Sequence, residues 1–242
     1  MKKLLYTLLI PAALLASCAH NGAKEREKAQ NDYKQALADS IESAKLGIDS
    51  CENQLQITSD QVNTWMRDFT VVSNPREVES YYIFNGWQNR YPLQSTGLVA
   101  RISNGETLEL IAALKGSTFN SITVESGEHS ASSAVVPHDQ ALNYRRDGLN
   151  TVMFSGEEAN SVAEMIADNE LNNITVVFNE NGKVKGKWQM PADYKKMVSA
   201  TWLLYSARRK QMNLEGTMRM LNAKINILRG HLDKDGDNES AE

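Results

Sequence analysis

LADSIESAKLGIDSCENQLQITSDQVNTWMRDF, residues 37–69, decides the architecture. Leu37, Ile41, Ala44, Ile48, Cys51, Leu55, Thr58, Val62, Trp65 and Phe69 recur alternately four and three residues apart. That spacing is the a/d seam of a heptad repeat, held over roughly four heptads. A cysteine on such a seam behaves as a small buried hydrophobe. The alternative for Cys51, a reactive thiol, needs an electropositive and accessible setting that the neighbouring residues do not supply.

A second seam closes the chain: Met197, Ala200, Leu204, Ala207, Gln211, Leu214, Met218, Leu221, Ile225 and Leu228. Pro191 and Asp193 suit a helix start, and Gly230 suits a helix stop. At about 1.5 Å per residue each seam spans roughly 48 Å. Two seams of nearly equal length suggest antiparallel partners. With Leu37 opposite Leu228, Trp65 faces Ala200, Ala44 faces Leu221 and Thr58 faces Ala207. Large side chains against small ones fill space without overpacking. Gly47 and Gly216 fall at nearly one level, marking a close backbone approach or a soft point. The other reading has both helices packing on one globular core. Tyr194, Val198, Trp202, Leu203 and Tyr205 favour part of that, because they widen the apolar face at the start of the last helix.

Between the seams the period changes to two. TGLVARIS (96–103), LELIAAL (108–114), SITVE (121–125) and LNTVMFS (149–155) read as strands. ITVVF and KVKGKWQM, joined through Asn181-Gly182, form a hairpin. One helix interrupts them, capped by Ser155 with Glu158 three residues on, and buries Ala159, Val162, Ala163 and Ile166. GEHSASSA (127–134) reads as a polar loop. The predicted fold is α+β: a long antiparallel helical pair with an inserted, mostly antiparallel β domain that carries one helix.

The N-terminus has a different character. Lys2 and Lys3 precede an apolar run from Leu4 to Leu15, and Leu15-Ala16-Ser17-Cys18 follows. The layout is that of a secretory signal, and the run is too short to span a bilayer. The tetrapeptide resembles the lipobox of bacterial lipoproteins. The resemblance implies that the Cys18 thiol carries a diacylglycerol, that residues 1–17 are removed, and that the new amino terminus is acylated. Ala19 rather than Asp after the cysteine is the pattern that favours the outer membrane in many Gram-negative lipoproteins. Several acyl chains at about 0.8 kcal/mol per buried methylene make a stable anchor.

The chain divides accordingly into a signal peptide (1–17), a tether (18–32), a first stalk helix (33–69), a β-rich head (70–190), a second stalk helix (191–230) and an acidic, disordered tail (231–242). Formal net charge is −4, and more negative once Lys2 and Lys3 are removed. That disfavours nonspecific nucleic-acid binding. With Cys18 acylated, Cys51 has no intramolecular disulfide partner.

Chemistry is sparse. ESYYIFNGWQNRY (79–91) gathers Tyr81, Tyr82, Phe84, Trp87 and Tyr91; Tyr82, Trp87 and Tyr91 are the candidates for partner or ligand contact. The bland reading is that alternate members fill the sheet core. His129, His138 and Asp139 lie near Ser130, Ser132 and Ser133, but their order fits no nucleophile motif. With four histidines in all, two of them far from the head, no zinc set is expected. No catalytic residue, metal or cofactor is assigned. The expected function is non-enzymatic binding or scaffolding, in which the head contacts an envelope protein or a glycan. The alternatives are an envelope hydrolase using His129 or His138, and a structural spacer or subunit of an envelope complex.

Overall fold

The computed structural model describes residues 22–73 and 79–237. The signal peptide, Cys18 and residues 238–242 of the tail lie outside the described residues. The fold is α+β, with three α-helices and two antiparallel sheets among the described residues. The long helices are α1 (Gly22–Trp65) and α3 (Ala192–Asp237). Between them lie β1 (Phe69–Ser73), β2 (Ser80–Phe84), β3 (Gly97–Ser103), β4 (Thr107–Lys115), β5 (Ser121–Ser126), β6 (His129–Ser132), β7 (Asn143–Arg146), β8 (Leu149–Phe154), α2 (Glu157–Asp168), β9 (Thr175–Glu180) and β10 (Lys183–Gln189). One sheet has the order β1-β2-β3-β4-β8-β7 and the other β10-β9-β5-β6. No helix among the described residues is long and apolar enough to cross a membrane.

The chain separates into two compact units. The smaller takes its described residues from α1 up to Ile48 and from α3 beyond Arg219. Its core is Ile41, Ala44 and Ile225, with Ile48, Leu221, Leu228 and Leu232 packed around them. Gly47 is small for a reason visible here: a β-carbon on it would lie 3.1 Å from Leu221 Cδ1. The neighbour is a side chain, and a β-carbon on Gly216 would have only Arg219 Nη2 within 4 Å, so these contacts do not show the backbone approach expected at the two glycines.

The larger unit, Asp49–Arg219, holds both sheets and α2. Residues Leu98, Ala100, Ile102, Leu108, Leu110 and Ala112 lie on one face of the six-stranded sheet and are completely buried or nearly so. Alternation along each strand puts every second residue on that face. Helix α3 closes over it, with the Ala100 amide 3.4 Å from Met197 Sδ. Phe119 meets Phe178 edge to face at 4.9 Å, and Leu114 lies 3.0 Å from where a Gly186 β-carbon would sit, so the second sheet joins the same core.

Along both seams every predicted position is buried or half-buried, except that Phe69 is buried as a strand residue rather than a helical one. The helix ends at Trp65, a 3-10 turn covers Met66–Asp68, and Phe69 opens β1.

Other boundaries also move. Helix α1 begins at Gly22, within the segment read as a tether, because Ala, Lys, Glu, Arg and Gln form helix readily without any apolar stripe. Helix α3 passes through Gly230 and takes in residues 231–237 of the predicted tail. A lone glycine weakens a helix by about 1 kcal/mol and ends it only when the chain turns left-handed there, which Gly230 does not do.

The predicted polar loop 127–134 contains edge strand β6, paired to β5 from Thr123↔Ser132 to Ser126↔His129. Backbone pairing holds this strand, and its side chains are mostly exposed. Ser155 does not cap α2. Gly156, at φ +90°, a conformation that glycine adopts freely, is the residue before Glu157, and no side chain caps the helix. The four predicted residues of the α2 stripe are all buried. Leu203, predicted on the apolar face of α3, is exposed.

Candidate functional site

The face of the six-stranded sheet opposite α3 carries a cleft of about 470 Å³, within the range of small-ligand sites. Strand register explains who lines it. Val72 pairs with Tyr81, Arg101 with Glu109, Ile111 with Met153, and Tyr144 with Thr151. Alternation points all of these to one side. Two loops form the walls. One brings Gln88, Tyr91 and Pro92, and the other brings Ala141.

Arg101 is the charged residue of the lining, and Glu109, its partner on β4, holds it from outside that lining. Arg101 Nε donates to Glu109 Oε2 at 2.6 Å, and the two side chains are only 16% and 13% exposed. The guanidinium lies 3.6 Å from the centre of the Tyr81 ring, and its Nη2 is 3.7 Å from Met153 Sδ. Arg101 is thus held by a carboxylate, an aromatic face and a thioether at once. A cation over an aromatic face contributes about 0.5–2 kcal/mol according to its desolvation.

Two tyrosines at the cleft are tuned by burial. Tyr81 donates its hydroxyl to Glu79 Oε2 at 2.7 Å. Burial first, and then this hydrogen bond, push its pKa up to about 12, against the opposing pull of Arg101. Tyr91 donates to the Ala100 carbonyl at 2.5 Å, and burial raises its pKa further still. Both hydroxyls are neutral donors at physiological pH.

The three residues singled out from the sequence are not brought together. Tyr91 lines the cleft. Trp87 is buried, edge to face with Tyr194 at 4.7 Å and under the Arg90 guanidinium at 4.2 Å. Tyr82, the strand neighbour of Tyr81, points to the other face, where Arg208 lies 5.1 Å from its ring centre. Sequence reading missed Arg101, Glu109, Tyr144 and Met153. Their signal was present: Arg101 and Glu109 are charged residues inside the apolar runs of β3 and β4.

Asp139 belongs to the wall rather than to a triad. Its Oδ1 accepts from the amides of Ala141, Leu142 and Asn143, which holds its carboxyl below the usual range. This tie shapes the loop that brings Ala141 to the cleft. Ser133 Oγ accepts from the Ile122 amide and donates to the Ala134 carbonyl, and Ser132 shares a hydrogen bond with Thr123. His129 and His138 are exposed. Among the described residues no group of three or more His, Cys, Asp or Glu side chains could hold a metal ion.

A second cleft of about 300 Å³ continues from the first. Pro92, Tyr144 and Thr151 border both, and Gln94, Arg146 and Asp147 line the far part. No protein-family model, no curated protein and no solved structure matches this chain.

Proposed function

We propose that this is a lipid-anchored cell-envelope protein that binds an envelope protein or glycan in the cleft of its six-stranded sheet. Cys18 supplies the anchor, and α1 and α3 pair antiparallel. Two contacts support the pairing. Leu221 packs where a Gly47 side chain would be, and Trp65 and Ala200 border one crevice. Both fit the register that sets Leu37 against Leu228.

The observation that carries the binding role is Arg101, largely buried and bonded to Glu109, in a cleft that Tyr81, Tyr91 and Tyr144 also line. Replacing such a pair with apolar residues is often neutral or stabilising. A guanidinium fixed by such a pair in the lining of an open cleft is better explained by what it contacts than by stability.

Photo-crosslinking in intact cells tests the reading. A photoreactive phenylalanine analogue in place of Tyr144 is expected to capture a defined envelope component. The same group at Leu171, a fully exposed position, is the control. Adducts from both positions alike, or none from Tyr144, contradict the binding role. Cys18→Ser is expected to move the protein from the membrane fraction to the soluble one, and retention in membranes contradicts the anchor.

A further inference from the structure

We infer that the cleft takes an uncharged oligosaccharide, its hydroxyls on Arg101 and its C–H faces on the tyrosine rings. The inference rests on the reading of this cleft as the binding surface and names the ligand class.

Charge balance comes first. Arg101 and Glu109 sit 2.6 Å apart, so their fields largely cancel at a ligand. An anion drawn to Arg101 finds its charge already offset by Glu109, and among the lining residues no carboxylate draws a cation. A hydroxyl accepts from the guanidinium without bringing a charge of its own. The far part of the groove also carries both signs of charge, Arg146 and Asp147, but that pair is solvent-exposed and adds little.

The walls point the same way. Tyr91 and Tyr144 line the main cleft, and Tyr144 also lines its continuation. Aromatic residues present a flat apolar face and a polar edge, which suits a ring with C–H groups on its faces and hydroxyls on its rim. A wholly apolar ligand would cover Arg101 without offering it a further acceptor, at a desolvation cost. The continuity of the two clefts through Pro92, Tyr144 and Thr151 suits a linear chain of such rings.

An extended peptide fits less well. Peptides commonly add to a sheet edge through backbone hydrogen bonds. This groove runs over the face of the sheet, where side chains do the recognising.

Isothermal titration of the full-length, detergent-solubilised protein tests the class. The probes are maltotetraose, cellotetraose and chitotetraose as neutral oligosaccharides, tetragalacturonate as an anionic one, and an uncharged Ala/Ser peptide. At least one neutral probe is expected to bind, with an affinity unchanged from low to high salt. Tyr144→Ala is expected to weaken it about tenfold, and Tyr144→Phe, which keeps the ring, to leave it nearly unchanged. Because Tyr144→Ala can disturb β7, circular dichroism of each variant accompanies the titration, and the Phe variant keeps the test valid on a folded chain. Binding of only tetragalacturonate or only the peptide overturns the inference, and so does binding of none of the probes. In those cases a crosslink from Tyr144 in cells shows that the cleft reading survives with another ligand class, and a missing crosslink shows that both fail.

Discussion

The Arg101–Glu109 pair should prove costly to break and cheap to replace. Both side chains are less than one-fifth exposed and bonded at 2.6 Å. Glu109→Leu leaves the guanidinium with only the Tyr81 ring and the Met153 sulfur among the contacts described above. Arg101→Met leaves a carboxylate facing apolar walls. Stranding one partner of a buried pair costs about 3–5 kcal/mol. That is a large part of the roughly 5–15 kcal/mol that stabilises a domain. The double variant Arg101→Met/Glu109→Leu strands nothing and restores packing against Met153 and Ile111. Its stability is expected to be about equal to that of the unaltered protein, or up to about 4 kcal/mol higher. Urea unfolding followed by tryptophan fluorescence is the assay, since all four tryptophans fall between Asp49 and Arg219 and report on this unit. A double variant as unstable as the two single losses combined would refute the reasoning. The pair would then be a net stabiliser, and its presence would say nothing about ligand binding.

Three further outcomes are expected. Gly105→Ala should cost about 1–2 kcal/mol or more, because φ is +74° and the new carbon would lie 2.7 Å from Arg208 Nη2 and 3.1 Å from Tyr82; unchanged urea stability would contradict this. Tyr81 and Tyr91 have pKa values raised in the folded state, so the stability from their neutral forms is complete below about pH 10 and falls as pH rises toward 12 and beyond. Stability measured between pH 9 and 12 should show this decline, and Tyr81→Phe should reduce it; an unaltered profile would contradict the assignment. Ile225→Ala should cost the smaller unit about 2–5 kcal/mol and speed amide exchange around Ile41–Ile48, with tryptophan fluorescence unchanged; unchanged exchange there would mean that the Ile41–Ala44–Ile225 core contributes little.

The helical seams were legible because burial follows the 3.5-residue period with few interruptions. The central strands β3, β4, β5, β8 and β9 were legible because buried apolar residues leave a plain signal, and edge strand β10, which buries none of its residues, through its period of two and the Asn181-Gly182 turn. Strands β6 (HSAS) and β7 (NYRR) were not. Edge strands of four residues bury little, and backbone pairing holds them. Trp87 shows why aromatic clusters mislead: its burial depends on Tyr194, more than one hundred residues away in sequence, which also meets Trp188 at 5.0 Å. The site was half legible. Tyr81 and Tyr91 stood in the aromatic cluster, but which of its members face the cleft depends on strand register. Arg101 and Glu109 meet only because β3 and β4 pair with these residues opposite each other.

Methionine methyl NMR tests the central claim, that this face of the sheet is the binding surface, most directly. With the methionine methyls labelled, Met153 reports on the cleft floor, Met197 on the buried core behind the sheet, and Met212 and Met220 on exposed helix surface. On titration with a detergent extract of the cell envelope, the account predicts that the Met153 signal shifts while those of Met197, Met212 and Met220 stay in place. Shifts at Met212 or Met220 with Met153 unmoved would contradict it and place binding on the helices.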